Sequence, residues 1–243
     1  MVMLASIPVG VVIAIVVVLI VIVFAIVAGH KAMKQRRVDL LALSGRFGMS
    51  FDPGHDREHE HRFGHFEVFS RGFGRSAYNT MRGQVEVGGR AMGCVMGDYT
   101  YKTREGSGKN RRTVTHRFSY CLVETPWLTM PNLLIRREHF FDKVGSAFGF
   151  DDIDFESNAF SQKYFVKSPN KKFAYDICHP RMIEWFLETE PSGVDIEQGR
   201  MCVTDGTRVW KPEQFVYTLE WMDRFVEQWP GFVIEDLEEG ILV

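Results

Sequence analysis

Residues 8–28 of this chain have the sequence PVGVVIAIVVVLIVIVFAIVA, which contains no charged, amide or hydroxyl side chain. An α-helix rises about 1.5 Å per residue, so this stretch would form a helix about 31 Å long, close to the ~30 Å hydrocarbon thickness of a bilayer. The stretch therefore predicts one transmembrane helix. We expect its membrane-anchoring side chains to include Pro8, Val11, Ile15, Leu19, Ile22, Phe24 and Ala28.

Basic side chains follow this stretch and predict its orientation. They are Lys31, Lys34, Arg36 and Arg37, whereas residues 1–7 carry no charged side chain. Because cationic residues stay on the cytoplasmic side, we expect the N-terminus outside and residues 30–243 in the cytoplasm. The same cations would attract anionic lipid headgroups, at about 1 kcal/mol each near the surface. A cleaved signal peptide is the alternative, but a signal peptide has a basic N-terminal region and a shorter apolar core than this stretch.

The rest of the chain predicts a soluble α+β domain. Its composition supplies core material, since 13% of all residues are aromatic and 20 are Phe. We divide the chain into a transmembrane anchor (1–29), a basic juxtamembrane helix or linker (30–48), an α+β domain (49–230) and an acidic C-terminal tail (231–243). A split of the domain into two lobes near 126–131 stays open. The tail is either a peptide that docks onto a partner or a frayed end.

Alternating apolar residues predict a largely antiparallel sheet with packed amphipathic helices. Residues 77–87 and 91–101 flank Gly88-Gly89, which favours a hairpin, and a basic loop at 104–112 precedes a further strand at 113–124. The patterns also predict strands at 49–51, 66–69, 133–135, 153–155, 164–166, 194–196 and 201–204. They predict a turn at Asp52-Pro53-Gly54, a second hairpin at Gln198-Gly199, and helices at 137–148, 171–177, 180–188 and 212–228. The last helix should carry an apolar stripe, with Trp221 off that stripe.

Residues 55–66 have the sequence HDREHEHRFGHF, in which His55 and His59 are four positions apart, as are His61 and His65. On a helix each pair would share one face, which is the geometry that metal sites use. The segment is densely charged and matches no established metal motif. A solvated surface segment is therefore the expected reading, and metal binding by the four histidines is the alternative.

Composition and spacing exclude several other functional classes. The net charge of −2 argues against a general nucleic-acid surface, which is normally strongly basic. The four cysteines form no metal or redox spacing, so we expect buried thiols and no cofactor. A hydrolase that pairs Cys121 with His116 or His179 lacks a supporting motif. The sequence identifies no small-molecule substrate. The cysteines are Cys94, Cys121, Cys178 and Cys202.

Residues 153–188 resemble an uncharacterised family of bacterial single-pass membrane proteins with a domain of unknown function. The similar features are Glu156-Ser157, Phe160, Tyr164-Phe165, a turn at 168–170, Ala174 and a Pro-initiated helix from Pro180 to Trp185. Residues 79–101, which end in Asp98-Tyr99-x-Tyr101, are similar to the same family. The resemblance covers residues 40–230. It implies an anchored cytoplasmic α+β domain at the bacterial inner (cytoplasmic) membrane, and it implies no activity.

These observations favour a non-catalytic accessory or scaffolding subunit. Its cytoplasmic domain would dock onto other subunits of a membrane protein complex, such as an energy-transducing respiratory or photosynthetic assembly. The expected partners are therefore the lipid bilayer and those subunits. The alternative is a membrane-tethered metal-binding enzyme or sensor that uses His55, His59, His61 and His65.

Overall fold

The computed structural model describes residues 9–137 and 152–241. The predicted anchor residue Pro8, the predicted helix after Arg137 and the last two residues of the tail lie outside these ranges. The helices are α1 (Val9–Arg46), α2 (His59–Phe63), α3 (Glu67–Ser70), α4 (Asn158–Ser161), α5 (Lys171–Ile177), α6 (Pro180–Thr189), α7 (Pro212–Glu227) and α8 (Gly231–Glu238). The strands are β1 (Ser50–Asp56), β2 (Phe73–Val87), β3 (Arg90–Glu105), β4 (Arg112–Glu124), β5 (Leu133–Arg137), β6 (Tyr164–Lys167), β7 (Gly193–Glu197) and β8 (Arg200–Val203).

Helix α1 joins the apolar stretch to the domain without a break. It is 38 residues long and continues through the predicted linker as a single helix. Gly48, at a φ of 63°, follows its end, and the N–H of Met49 donates to the carbonyl of Ser44 at 2.8 Å. Among the described residues, α1 is the one helix long and apolar enough to cross a membrane.

The sheet has eight antiparallel strands in the order β1-β2-β3-β4-β8-β7-β5-β6. The predicted α+β class with a largely antiparallel sheet is confirmed. Strand β4 pairs with β8, where Cys121 lies opposite Val203 and Glu124 opposite Arg200. This pairing joins the strands before and after residues 126–131 into one continuous sheet.

Two hairpins form where the turn residues predict them. Gly88 and Gly89, at φ values of 57° and 70°, connect β2 to β3, and Gln198 and Gly199, at 50° and 70°, connect β7 to β8. Positive φ at both central residues gives the turn a twist that matches the flanking strands. These turns fix the register of both hairpins.

Two hydrophobic cores lie on opposite faces of the sheet. Along β4, Cys121 and Val123 belong to the larger core, whereas Tyr120 and Leu122 belong to the smaller one, because successive side chains point to opposite faces. The larger core includes residues of α1, α5, α6, α7 and α8, and the smaller core includes residues of α2 and α3. All four cysteines are free and buried.

Three local expectations differ from the structure. Residues 66–69, predicted as a strand, lie mostly in the short helix α3, where Phe66 and Phe69 both enter the smaller core. The N–H of Gly54 donates to Asp52 Oδ1 at 2.7 Å, as expected of a turn. The predicted turn nevertheless does not end the strand, because it forms an irregularity within β1, where the register with β2 shifts between Asp52 and His55. Residues 153–155 contain no strand, although the N–H of Ile153 donates to the carbonyl of Val166 at 2.9 Å.

The C-terminal part of the chain packs onto the domain. In α7 the predicted apolar stripe is buried, and so is Trp221, which the helical pattern placed off the stripe. Trp185 of α6 stacks on Trp221 with ring centroids 5.1 Å apart, so a neighbouring helix covers that side of α7. The acidic tail is helical as α8 over Gly231–Glu238, and Val233 and Leu237 enter the larger core. This part of the tail is therefore not frayed.

Candidate functional site: the junction of α1 and the sheet

One face of α1 packs on the sheet where the helix meets the domain. Leu40 and Leu43 are buried in the larger core. Arg36 is one helical turn before Leu40 and so lies on the same face. Its side chain is 17% exposed and points toward the sheet. The periodicity of α1 therefore directs one member of the basic cluster inward.

The guanidinium of Arg36 binds the carboxylate of Asp98 on β3 with two hydrogen bonds. Nε donates to Oδ2 at 2.8 Å and Nη2 donates to Oδ1 at 2.6 Å. Nη1 donates to the carbonyl oxygen of Trp210 at 2.7 Å. Asp98 is fully buried. The hydrogen bonds of such a bidentate ion pair are short, charge-assisted and directional, so the pair fixes the position of α1 on the sheet.

Further polar groups complete the surroundings of Asp98. Asn79 Nδ2 donates to Oδ2 at 2.9 Å, and Ser119 Oγ donates to Oδ1 at 2.6 Å. The N–H of Trp210 donates to Ser119 Oγ at 2.9 Å. Asn79 has a φ of 50° at an irregularity in the β2 register, which lies between Tyr78 and Met81. A buried charge is costly unless it is paired and hydrogen-bonded, and this network satisfies both conditions.

The structure corrects the expectation for one basic residue. Lys31, Lys34 and Arg37 are exposed, and their contact with lipid headgroups stays a prediction. Arg36 is not a headgroup residue, because it is held by Asp98. The sequence signal for this pair was a lone carboxylate inside an apolar, alternating strand, which requires a buried cation from elsewhere in the fold.

The described anchoring residues lie on the apolar half of α1, over residues 9–28. Their side chains, like those of their neighbours from Val11 to Val27, are exposed, and Phe24 reaches 74%. A contiguous apolar surface of this size is unusual for a soluble protein and calls for a lipid or protein cover. The residues are Val11, Ile15, Leu19, Ile22, Phe24 and Ala28.

The structure does not bring the four histidines into one site. His55 lies on β1 and stacks on Tyr78, whereas His59 is buried in the smaller core. His61 is exposed, and His65 is half-buried beside Phe66. In the part of the chain that the structure describes, no group of three or more His, Cys, Asp or Glu side chains is arranged to hold a metal ion. The alternative metal site therefore has no geometric support.

His59 departs from the expected solvated surface. Its ring lies 4.7–5.6 Å from the rings of four aromatic residues, Phe63, Phe69, Tyr99 and Tyr120. The Nδ1 atom is 3.5 Å from the Tyr120 hydroxyl, and Nε2 is buried with no hydrogen-bond partner among the described residues. Burial lowers the pKa of His59 from 6.5 to about 3. The imidazole is therefore neutral near pH 7 and serves as a core residue.

We expect His59 to make the domain less stable in acid. The unfolded chain takes up a proton near pH 6.5, whereas folded His59 stays neutral down to about pH 3, so stability falls as the pH drops through this window. At pH 5 the loss is about 2 kcal/mol relative to pH 7.5. His59→Phe, which keeps an aromatic ring, should remove this loss. Urea unfolding at pH 5 and pH 7.5, followed by tryptophan fluorescence, measures it.

A matched control for this prediction is His61→Gln, because His61 is exposed on the same short helix. The control should keep the pH profile of the unmodified protein. If the His59→Phe profile ran parallel to that of the unmodified protein, His59 would not be the source of acid sensitivity.

The proposed cysteine and histidine pairs do not form. Cys121 is fully buried, and a hydrogen bond to Cys94 together with this burial raises the pKa of its thiol, which is the opposite of what a nucleophile needs. His116 Nε2 lies 2.7 Å from Thr103 Oγ1, and His179 caps α6 through Nδ1, which accepts from the N–H of Met182 at 3.3 Å. The structure thus gives each histidine a partner other than a thiol.

A second buried charge cluster lies at β5 and β7. Arg136 Nη2 donates to Asp195 Oδ2 at 2.9 Å, and Nη1 lies 3.6 Å from Glu67 Oε2. Burial raises the pKa of Asp195, and burial with the Asp195 charge raises the pKa of Glu197 to about 7. Because Glu67 belongs to α3, this cluster joins that helix to the sheet.

Comparisons with known proteins add one fold relationship. No protein-family model matches this chain, and no curated protein matches it. Among solved structures, the crystal structure of the mycobacterial trehalose monomycolate transport factor A, TtfA, is similar, with a TM-score of 0.50 and 15% sequence identity. The match covers 82% of this chain and 96% of that chain. At this identity the similarity shows a shared fold.

Proposed function

We propose that this chain is a membrane-anchored, non-catalytic accessory subunit whose cytoplasmic domain docks onto a larger membrane transport assembly. The observation that carries the proposal is the rigid junction. Helix α1 continues unbroken from the apolar half into the domain, and Arg36 and Asp98 lock it onto the sheet. A domain held in this way keeps one orientation toward the bilayer, as a docking subunit requires.

The name of the structural neighbour supports transport as the host process. TtfA is described as a transport factor for trehalose monomycolate. We extend the transport role, and not the cargo, to this chain. For this reason we favour a transport assembly over the energy-transducing complex that the sequence suggested as a host.

The outer face of α1 offers a surface for a partner helix. Val38 and Leu41 are 53% and 57% exposed, although they lie beside the buried Leu40 in the part of α1 that packs on the domain. Residues three apart on a helix are neighbours, so the two side chains form one apolar strip. A transmembrane partner whose helix continues past the bilayer would cover this strip.

The docking proposal predicts which proteins remain bound after gentle extraction. The full chain, solubilised from native membranes in mild detergent, should retain a polytopic membrane protein in a fixed ratio. Val38→Glu with Leu41→Glu should reduce the retained amount at least about fivefold, because two carboxylates would be buried at the contact. Quantitative mass spectrometry of the purified fraction measures the ratio.

The matched control places the same charges elsewhere. Tyr175→Glu with Tyr217→Glu changes two exposed side chains on α5 and α7, and should retain the partner. A solitary monomer after gentle extraction would overturn the accessory role. The proposed orientation has its own test, because protease added to sealed cells should leave the domain intact.

A further inference from the structure

A basic groove lies beside the junction of α1 and the sheet. The strands β2, β3 and β4 form its floor, α1 forms one wall, and the end of β1 forms another. Its volume is about 730 Å³. Its basic side chains are those of His55 and of five cations, Arg37, Arg57, Arg75, Lys102 and Arg117. Among the residues that the structure describes, no carboxylate lines it.

Most of these cations have no counter-charge. Arg75 pairs with Glu60 at 2.6 Å. The others, Arg37, Arg57, Lys102 and Arg117, have no carboxylate within 4.0 Å in the described ranges 9–137 and 152–241. Like charges that converge on one concave surface repel one another and raise the local concentration of anions. The groove therefore presents a strong positive field to a bound ligand.

The floor of the groove also carries an unused hydrogen-bond donor. Tyr78 is 5% exposed and lines the groove, and its ring stacks on His55. None of the hydrogen bonds among the described residues involves its hydroxyl group. Burial raises the pKa of Tyr78 to about 12, so the hydroxyl keeps its proton and can donate. Because the hydroxyl is open to the solvent in the groove and is not sealed in the core, it can donate to an acceptor on a bound ligand.

The position of the groove along α1 indicates that its anionic ligand is a lipid headgroup. Met33 and Arg37 line it and lie about 8 and 14 Å beyond Ala28, the end of the apolar stretch. The headgroup layer of a bilayer adds roughly 5–8 Å on each side of the hydrocarbon. Because the ion pair of Arg36 with Asp98 holds α1 on the sheet, the groove keeps this distance from the hydrocarbon layer and lies next to the headgroups.

The hairpin formed by β3 and β4 extends toward the membrane side of the domain, where the apolar half of α1 lies. Arg36 pairs with Asp98, and Met33, nearer the apolar half of α1, lines the groove with Lys102, which is farther along β3. From Asp98 to Lys102, strand β3 therefore runs toward the apolar half of α1, which is the membrane side. The hairpin tip beyond Lys102 carries the basic loop of residues 104–112.

We propose that this groove binds the phosphate group of an anionic membrane lipid, with Lys102, Arg117 and Tyr78 as the main contacts. The lipid tails would stay in the bilayer, while the headgroup enters the groove from the membrane side. The inference needs the anchored domain but no protein partner. It can therefore fail or hold independently of the docking role.

The test uses the full chain in the neutral detergent dodecyl maltoside. Dihexanoyl-phosphatidylglycerol, dihexanoyl-phosphatidylcholine and glycerol 3-phosphate are titrated in turn by calorimetry. We expect binding of phosphatidylglycerol, at least about tenfold weaker binding of the zwitterionic lipid, and weak binding of glycerol 3-phosphate, which lacks the membrane-side part of the lipid. Equal binding of the two lipids would overturn the proposal. Equal binding of glycerol 3-phosphate and phosphatidylglycerol would assign the groove to soluble phosphorylated ligands and overturn the lipid assignment.

The variants separate the groove from general charge attraction. Lys102→Gln with Arg117→Gln should weaken phosphatidylglycerol binding at least about tenfold, since charge-assisted hydrogen bonds to phosphate are the strong ones. The matched control, Arg111→Gln with Arg112→Gln, removes the same charge from the exposed tip of the same hairpin and should leave binding within about twofold. An equal loss in both variants would overturn the proposal.

Two further variants keep the test decisive if the double substitution impairs folding. Tyr78→Phe retains the ring and should weaken binding about fivefold through the lost hydroxyl group. Thr115→Glu places a carboxylate in the exposed part of the groove and should weaken binding more strongly. Urea midpoints from tryptophan fluorescence identify the variants that fold normally. Normal folding with unchanged binding in both would overturn the proposal.

Discussion

Replacing Arg36 with methionine is expected to lower the free energy of unfolding by about 3–5 kcal/mol, because it leaves the carboxylate of Asp98 buried without its cation. Asn79 and Ser119 would still donate to that carboxylate, but neither carries a charge. Urea unfolding of the full chain in mild detergent measures the change. The five tryptophans all follow residue 126, so their fluorescence reports on the domain and not on the apolar half of α1.

The neighbouring residue provides the control for this prediction. Arg37→Met removes the same charge and similar length from an exposed position, and should change stability by no more than about 0.5 kcal/mol. Combining Arg36→Met with Asp98→Asn should recover part of the loss, because an amide at that position is uncharged. Equal effects of Arg36→Met and Arg37→Met would show that the buried pair does not hold the junction.

Three arginines in the apolar half of α1 are expected to release the protein from membranes. Each charge near the centre of a span costs about 2.5–3.5 kcal/mol, and each replaced Ile or Leu also loses about 0.3–0.6 kcal/mol of insertion energy. Ile15→Arg, Leu19→Arg and Ile22→Arg together therefore cost about 8–12 kcal/mol, comparable to what the whole stretch supplies. The fraction that resists a carbonate wash measures anchoring.

The control places arginine on the same helix beyond the apolar half. Val38→Arg changes an exposed side chain at the level of the domain and should leave the protein in the carbonate-resistant fraction. Retention of the triple variant, or release of the unmodified protein by carbonate, would contradict the transmembrane assignment of α1.

Much of the fold follows from local chemistry. Gly88-Gly89 and Gln198-Gly199 adopt the positive φ values that tight hairpins need, and they form the predicted turns. The apolar stripe of α7 is buried as its period predicts. Such features depend on residues close together in the chain, which is why their positions are readable from the sequence.

The wrong predictions arose where short patterns fit two structures. Residues 66–69 alternate like a strand, but Phe66 and Phe69 also share one face of a single helical turn. His59 lies in a charged segment, and only the packing of α2 against β3 and β4 places it among aromatic rings. Four or five residues carry too little periodicity to choose between such alternatives.

In the candidate site too, local sequence patterns predicted some features, whereas others were visible only in the tertiary structure. The sequence placed Arg36 with Lys34 and Arg37 as one basic cluster, and it contained Asp98 as an isolated carboxylate in an apolar strand. The pair is separated by 62 positions, so no local pattern relates the two residues. The groove is likewise assembled from α1 and four strands, and its cations are scattered along the sequence.

The sequence by itself determined the apolar helix, the basic residues that follow it, the hairpins and the α+β class, because each depends on composition, period or turn chemistry within a few residues. The tertiary structure alone decided that Arg36 turns inward to Asp98, that His59 is a core residue and that separated cations converge beside α1. These outcomes depend on how distant segments pack, since a buried charge or a shared groove exists only once the sheet and α1 have come together.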